Sequence, residues 1–209
     1  SISNSQRKVL PNLNFLATVY NGIEVDSFEF NDKPQPYLAF LGRITPDKGP
    51  EQAIAVAKKT RRKLLIAARV DQPDRQYFKK VIKPLIDGEQ IVFLGEVDHK
   101  EKVELLKNAQ ALLSPVQWDE PFGLTNVEAM ACGTPVIALK RGSLPELIVN
   151  KKVGFLCHTI DEMAERVKQI KTIDRAACRR HVEKNFAASC MAKGYVKAYE
   201  KVIKNYPGK

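Results

Sequence analysis

From Tyr37 onward the chain alternates short apolar runs with longer amphipathic stretches. The runs Tyr37–Leu41, Leu64–Ala68, Ile91–Leu94, Ala111–Ser114, Val136–Leu139 and Phe155–Cys157 have the length and composition of buried strands. Pro50–Thr60, Asp74–Asp87, Asp98–Asn108, Leu124–Ala131, Leu144–Val149, Thr159 to about Ile170, Asp174–Asn185 and Ala188–Asn205 read as helices. Two of these open on capping boxes, Asp98-His99-Lys100-Glu101 and Thr159-Ile160-Asp161-Glu162. Pro84 is expected to bend or end the helix that contains it. Strands alternating with helices predict an α/β fold, a Rossmann-like parallel sheet with helices on both faces. Ligands of such sheets sit beyond the C-terminal ends of the strands, so the residues just after each strand are the ones to search.

The first thirty residues do not share this rhythm. Ile2-Ser3 reads as the end of a strand, Gln6–Leu10 as a short helix, and Phe15–Tyr20 as a β-rich run closed by the turn pair Asn21-Gly22. Asn31–Pro36 reads as a linker. Residues 1–30 are therefore expected to be the residual end of a preceding domain with its interdomain linker, and residues 31–209 one domain. The start at Ser1 without an initiator Met suggests a piece of a longer chain.

Composition narrows this only a little. The chain has 209 residues, enough for one well-packed domain, and no apolar run of membrane-span length. Its net charge of +10 is concentrated late, with fourteen Lys or Arg against six Asp or Glu from Lys151 onward. No aromatic–basic alternation or nucleic-acid motif accompanies the surplus, so nucleic acid is not expected as a partner. A solvated helical face is the first reading and peripheral contact with an anionic membrane the second. Cys132, Cys157, Cys178 and Cys190 have neither Cys-x-x-Cys spacing nor histidines at ligand distance, which points to free thiols in a reducing cytoplasm. His99, His158 and His181 read as exposed, not catalytic.

The densest chemistry lies in the stretch from Trp118 to Pro135. Pro121 is read as stopping the preceding strand. Gly123 lacks a Cβ and lets a bound group approach the backbone. Leu124–Ala131 is a helix ended by Gly133 and Pro135. Its first N–H groups, at Leu124 and Thr125, form an anion site flanked by the carboxylates of Glu120 and Glu128. Bare N–H donors beside two carboxylates suit a ligand with both phosphate and hydroxyls, such as a nucleotide sugar.

Glu120 and Glu128, with seven residues between them that begin Pro121-Phe122-Gly123-Leu124, and Ala129-Met130-Ala131-Cys132-Gly133-Thr134-Pro135 following, resemble the donor-site signature of family 4 retaining glycosyltransferases. The resemblance spans nearly the whole chain. It implies the C-terminal half of a GT-B fold that binds a nucleoside-diphosphate sugar, a UDP-sugar ahead of a GDP-sugar. A hexose would pass to an unidentified acceptor, with neither metal nor cofactor.

The other strand-end loops fit the same reading. Arg43 and Lys48, in Gly42-Arg43-Ile44-Thr45-Pro46-Asp47-Lys48-Gly49, can grip phosphate oxygens, and the resemblance places the donor diphosphate there. Arg69 lies beside the expected base position; it either stacks on the base or pairs with Asp71 or Asp74. The resemblance brings the backbone around Gly95 and Val97 to the edge of the base. It gives Glu120 and the Phe122-Gly123-Leu124 backbone to the sugar hydroxyls, and Glu128 to the ribose. Arg43, Lys48 and Glu120 are thus the expected catalytic set. Gly42, Arg69, Gly95, Val97, Phe122, Gly123, Leu124, Thr125 and Glu128 complete the donor site. Gly142-Ser143-Leu144-Pro145-Glu146 matches a family turn and is read as structural. Two rivals remain: a binding module that takes nucleotide sugars without catalysis, and a nucleotide-sugar epimerase of the same fold.

Overall fold

A computed structural model describes residues 1–9 and 11–205. Helix α1 (Asn4–Val9) precedes strand β1 (Tyr37–Arg43) and helix α2 (Pro50–Thr60). Strand β2 (Lys63–Arg69) is followed by the helical turn α3 (Arg75–Tyr77), strand β3 (Ile91–Gly95) and helix α4 (His99–Asn108). Then come β4 (Ala111–Ser114), α5 (Leu124–Ala131), β5 (Val136–Leu139), α6 (Leu144–Leu147) and β6 (Gly154–Cys157). Helices α7 (Ile160–Gln169), α8 (Arg175–Asn185) and α9 (Ala188–Asn205) complete the chain.

The six strands form one all-parallel sheet in the order β3-β2-β1-β4-β5-β6. Successive connections run one way from β1 to β3 and the other way from β4 to β6. Right-handed crossovers therefore put the intervening helices on opposite faces. Helices α2 and α7 pack together on one face, and α4, α5 and α8 on the other. Strands covered on both faces need no polar alternation, and β4 and β5 are buried at every position. The reversal of order falls between β1 and β4, the position at which a sheet of this kind binds its ligands.

Several elements differ from expectation. Phe15–Tyr20 makes no strand: Val19 donates to Ser1 O at 2.9 Å, and no neighbouring strand extends that pairing. Ile2-Ser3 is a helix cap, not a strand end. The Ser3 hydroxyl accepts the Gln6 N–H at 3.0 Å, and the Gln6 side chain accepts the Ile2 N–H at 2.9 Å. Helix α1 ends at Val9, and Leu10, the expected last residue of that helix, lies outside the described residues. The expected Asp74–Asp87 helix changes pitch instead, from α3 to a wide turn at Phe78–Ile82 and a tight one at Lys83–Leu85 containing Pro84. Of the two capping boxes only the first is complete. Glu162 takes the N–H of His158 instead of that of Thr159, so Thr159 caps α7 alone. Strand β4 is stopped by Pro115, six residues before Pro121, because the chain turns away at the first residue without an N–H.

Residues 19–30 are part of the packing. Val25 and Phe28 lie in the main core, Ile23 exchanges backbone bonds with Phe186 and Ala188, and the Arg179 guanidinium reaches Phe28 O at 2.6 Å. Helix α9 has no buried residue, and Val196, Tyr199, Val202 and Ile203 lie exposed along it. Among the described residues no helix is long and apolar enough to cross a membrane.

Candidate donor-binding crevice

Two loops meet at the switch point. After β1, Pro46–Lys48 makes one tight helical turn capped by the Thr45 side chain, which brings Lys48 to the mouth of the crevice. Gly49 ends the turn in the left-handed region, and a Cβ there would stand 2.1 Å from Pro115 O, so only glycine lets the β1 loop lie against the exit of β4. The Gln117 N–H then bonds Asp47 O at 2.7 Å and stitches the two loops together.

That contact delivers Lys48 to Glu120. The ammonium pairs with Glu120 Oε2, and the Trp118 indole N–H donates to the same oxygen at 3.1 Å. Lys48 also sits 5.5 Å from the centre of the Trp118 ring. Glu120 is only 8% exposed, so a buried carboxylate is matched by a cation and a neutral donor.

Residues 119–122 are held from behind by the turn after β5. Gly142 N–H bonds Asp119 Oδ1 at 3.1 Å, Ser143 N–H bonds Glu120 O at 2.9 Å, and the Ser143 hydroxyl donates to Phe122 O at 2.6 Å. The turn read as structural in the sequence is thus what fixes the backbone of the signature. Glu146, one turn on, accepts from the N–H groups of Asn4 and Ser5 at 2.8 Å each and from the Tyr20 hydroxyl at 3.0 Å. The ring of Tyr20 packs 6.1 Å from that of Phe122, which ties the N-terminal segment to the same loop.

Gly123 has a further reason to be glycine. It is left-handed at φ +92°, and a Cβ would meet Asn126 Nδ2 at 2.7 Å and Leu144 Cδ2 at 3.1 Å. Backbone geometry and packing alone therefore demand glycine, before any ligand is considered. Helix α5 starts at once, and the N–H groups of Leu124 and Thr125 have no intrahelical acceptor. Lys48, Glu120, Phe122, Gly123, Leu124 and Thr125 line one open recess of about 330 Å³ with Ile2 and Asn21. Gly42 lines a smaller void behind it with Lys48, Glu120, Gly123 and Thr125.

The remaining candidates fall into separate groups. Arg69 Nε bonds Asp71 Oδ1 at 2.7 Å, and Arg43 stands 3.7 Å from the other oxygen of Asp71, so one carboxylate serves two half-exposed arginines. Asp71 is thus the carboxylate that Arg69 pairs with. Gly95 closes β3 in the left-handed region, and Val97 lines a separate groove along α4 with Leu94 and Glu96. Glu128 is engaged by Lys102 Nζ at 2.7 Å. Sequence reasoning assigns no role to Lys102 or Trp118, and only a structural one to the turn that holds Ser143. Trp118, two residues before Glu120, was the one within reach of a spacing argument.

The thiols are free, and Cys132, Cys157 and Cys178 are buried. Burial pushes each of the three up to about 12, which excludes a thiolate nucleophile at Cys132 near neutral pH.

The sequence matches the family model described as glycosyl transferases group 1 over residues 23–187. An uncharacterized 41.2 kDa protein in the cps region of Klebsiella pneumoniae is 30% identical over 206 residues, covering 90% of this chain and 55% of that one. A glycogen synthase of Mycobacterium tuberculosis is 31% identical over 181 residues, covering 81% of this chain and 43% of its own. The chain thus spans about half the length of the curated relatives it matches. Among solved structures, AviGT4, a glycosyltransferase involved in avilamycin A biosynthesis, superposes with a TM-score of 0.84 at 23% identity, over 98% of this chain and 63% of that one. Anabaena Alr3699/HepE, in complex with UDP and glucose, gives 0.82 at 18% identity, over 96% of this chain and 62% of that one. At these identities the two structures speak to fold, and the fold agrees.

Proposed function

The chain belongs to the group 1 glycosyl transferases of the GT-B fold, and from that premise we propose that it is the donor-binding half of a retaining hexosyltransferase. The observation that carries the reading is the meeting of Lys48, Glu120 and the start of α5 in one recess at the switch point. In this reading residues 1–30 are the end of the acceptor domain and its linker, clamped onto a donor domain of residues 31–209. The exposed apolar face of α9 supports a missing partner domain, since the resemblance has that helix pack back on the acceptor half.

The chemistry follows from charge. Breaking the bond from the anomeric carbon to the phosphate oxygen leaves negative charge on the departing nucleoside diphosphate. Arg43, Lys48 and the N–H groups of Leu124 and Thr125 meet that charge, and fixed donors of this kind each contribute about 10²–10³ in rate. Lys48 exchanges Glu120 for the diphosphate, and the released carboxylate accepts the sugar hydroxyls beside the Phe122-Gly123-Leu124 backbone. Glu128 takes the ribose hydroxyls, and the backbone near Gly95 and Val97 takes the base, with Arg69 beside it. The acceptor hydroxyl attacks on the leaving-group face and passes its proton to the departing phosphate oxygen, so the configuration is retained without a protein nucleophile and without a metal. The donor is a UDP-sugar ahead of a GDP-sugar; UDP complexes of Anabaena Alr3699/HepE, of the same fold, favour that order.

Calorimetric titration with UDP, GDP and ADP, each with and without magnesium, tests this. UDP is expected to bind without magnesium, and Arg43→Ala to weaken it. A folded chain that binds none of the three sinks the donor-site reading.

A further inference from the structure

We infer that Lys102 aims Glu128 at the nucleotide, and that the two side chains together read the vicinal 2′,3′-diol of its ribose. The inference rests on the donor-site reading above and adds a residue outside the signature. Lys102 lies in the first turn of α4, whose start is fixed by the complete capping box at Asp98 and Glu101. Its ammonium sits 5.3 Å from the centre of the Phe28 ring, which is itself buried and met edge-on by His99 at 5.2 Å. The cation is therefore held between a helix start and an aromatic wall, not left on a mobile stem. It donates to Glu128 Oε1 at 2.7 Å, with the Lys102 and Glu128 side chains 22% and 14% exposed.

This engages only one carboxylate oxygen. Among the described residues Oε2 of Glu128 has no donor, and it is not one of the buried side-chain atoms left unpartnered, which are Gln52 Oε1, Gln110 Oε1 and Asn126 Oδ1, so it is open to a ligand. An open carboxylate oxygen beside an ammonium with unused N–H groups is complementary to two adjacent hydroxyls. One hydroxyl donates to Oε2, and the neighbouring oxygen accepts from Nζ. Lys102 has a second effect. Without it, Glu128 is an unmatched negative charge in a site proposed to hold a diphosphate, and like charges in a shielded site repel strongly.

The test compares affinities for UDP, 2′-deoxy-UDP and 3′-deoxy-UDP in the wild-type chain, Lys102→Met and Lys102→Gln. The second variant is neutral and helix-compatible, and guards against misfolding of the first. The wild type is expected to prefer UDP by about tenfold or more over either deoxy form, as befits a hydrogen bond to a charged group. In either variant UDP affinity falls by about tenfold and the preference for ribose collapses. A folded variant that keeps the wild-type preference, or loses affinity equally for all three, overturns the inference and leaves Lys102 as a strut between α4 and α5. A wild-type chain that binds all three alike instead overturns the ribose role of Glu128 beneath it.

Discussion

Glu120 concentrates the demands of the site on one oxygen, which takes both the Lys48 ammonium and the Trp118 indole N–H. Removing the cation leaves a carboxylate that is mostly buried and half-satisfied. Lys48→Ala should therefore lower stability by about 1–3 kcal/mol in urea titration and lower transfer in the intact enzyme by about 10²–10³. Wild-type turnover in that variant would remove Lys48 from the mechanism. The buried thiols give a separate reading. The fold favours their neutral form, because burial holds Cys132, Cys157 and Cys178 near 12, well above the ordinary thiol value of about 8.5. Their contribution to stability is complete below the unfolded value and is lost as pH rises from there towards 12. A thiol reagent at neutral pH should titrate Cys190 alone in the folded chain and all four cysteines after denaturation; rapid modification of a second thiol would contradict the burial described.

Among elements, those whose signals are local matched the sequence best. Helix α4 begins at an aspartate whose side chain and backbone both bond Glu101, and it ends at Asn108 as its pattern predicts. Asp98→Ala removes that cap and should cost about 1 kcal/mol, a fall of about 2–4 °C in Tm for a chain of this size; an unchanged Tm would mean the cap adds nothing. Strands β4 and β5 were also legible as found, because residues buried on both faces make continuous apolar runs. Phe15–Tyr20 has strand chemistry but no neighbouring strand, and β-propensity expresses packing on a neighbour more than any backbone preference. The meeting of the two switch-point loops was equally hidden, since Gly49 and Pro115 are distant in sequence and touch only once the sheet has formed. Gly49→Ala should destabilise the chain through both its positive φ and the clash with Pro115 O, and should pull Lys48 from Glu120. Lys102 was illegible for a related reason: its partner lies on another helix, and no spacing rule links α4 to α5.

At the scale of the molecule, two side chains bind segments that secondary structure leaves loose. Arg175, buried on α8, donates to the carbonyls of Asn31, Lys107 and Ala109 and to the Thr134 hydroxyl, so one guanidinium fastens the segment before β1 to the approaches of β4 and β5. Glu146 does the same for residues 4, 5 and 20 on the side where the strands end. Glu146→Ala should accelerate amide exchange across the N-terminal segment while the sheet stays protected, and uniform exchange rates would show the clamp to be idle. The molecule also carries its own optical probe. Trp118 is the chain's one tryptophan, so red-edge excitation, where tyrosine does not absorb, collects emission from a single ring. That ring donates to Glu120 and faces the Lys48 cation. Any event that parts the pair changes the field on the indole, and the colour of the whole protein's fluorescence becomes a record of one ion pair opening.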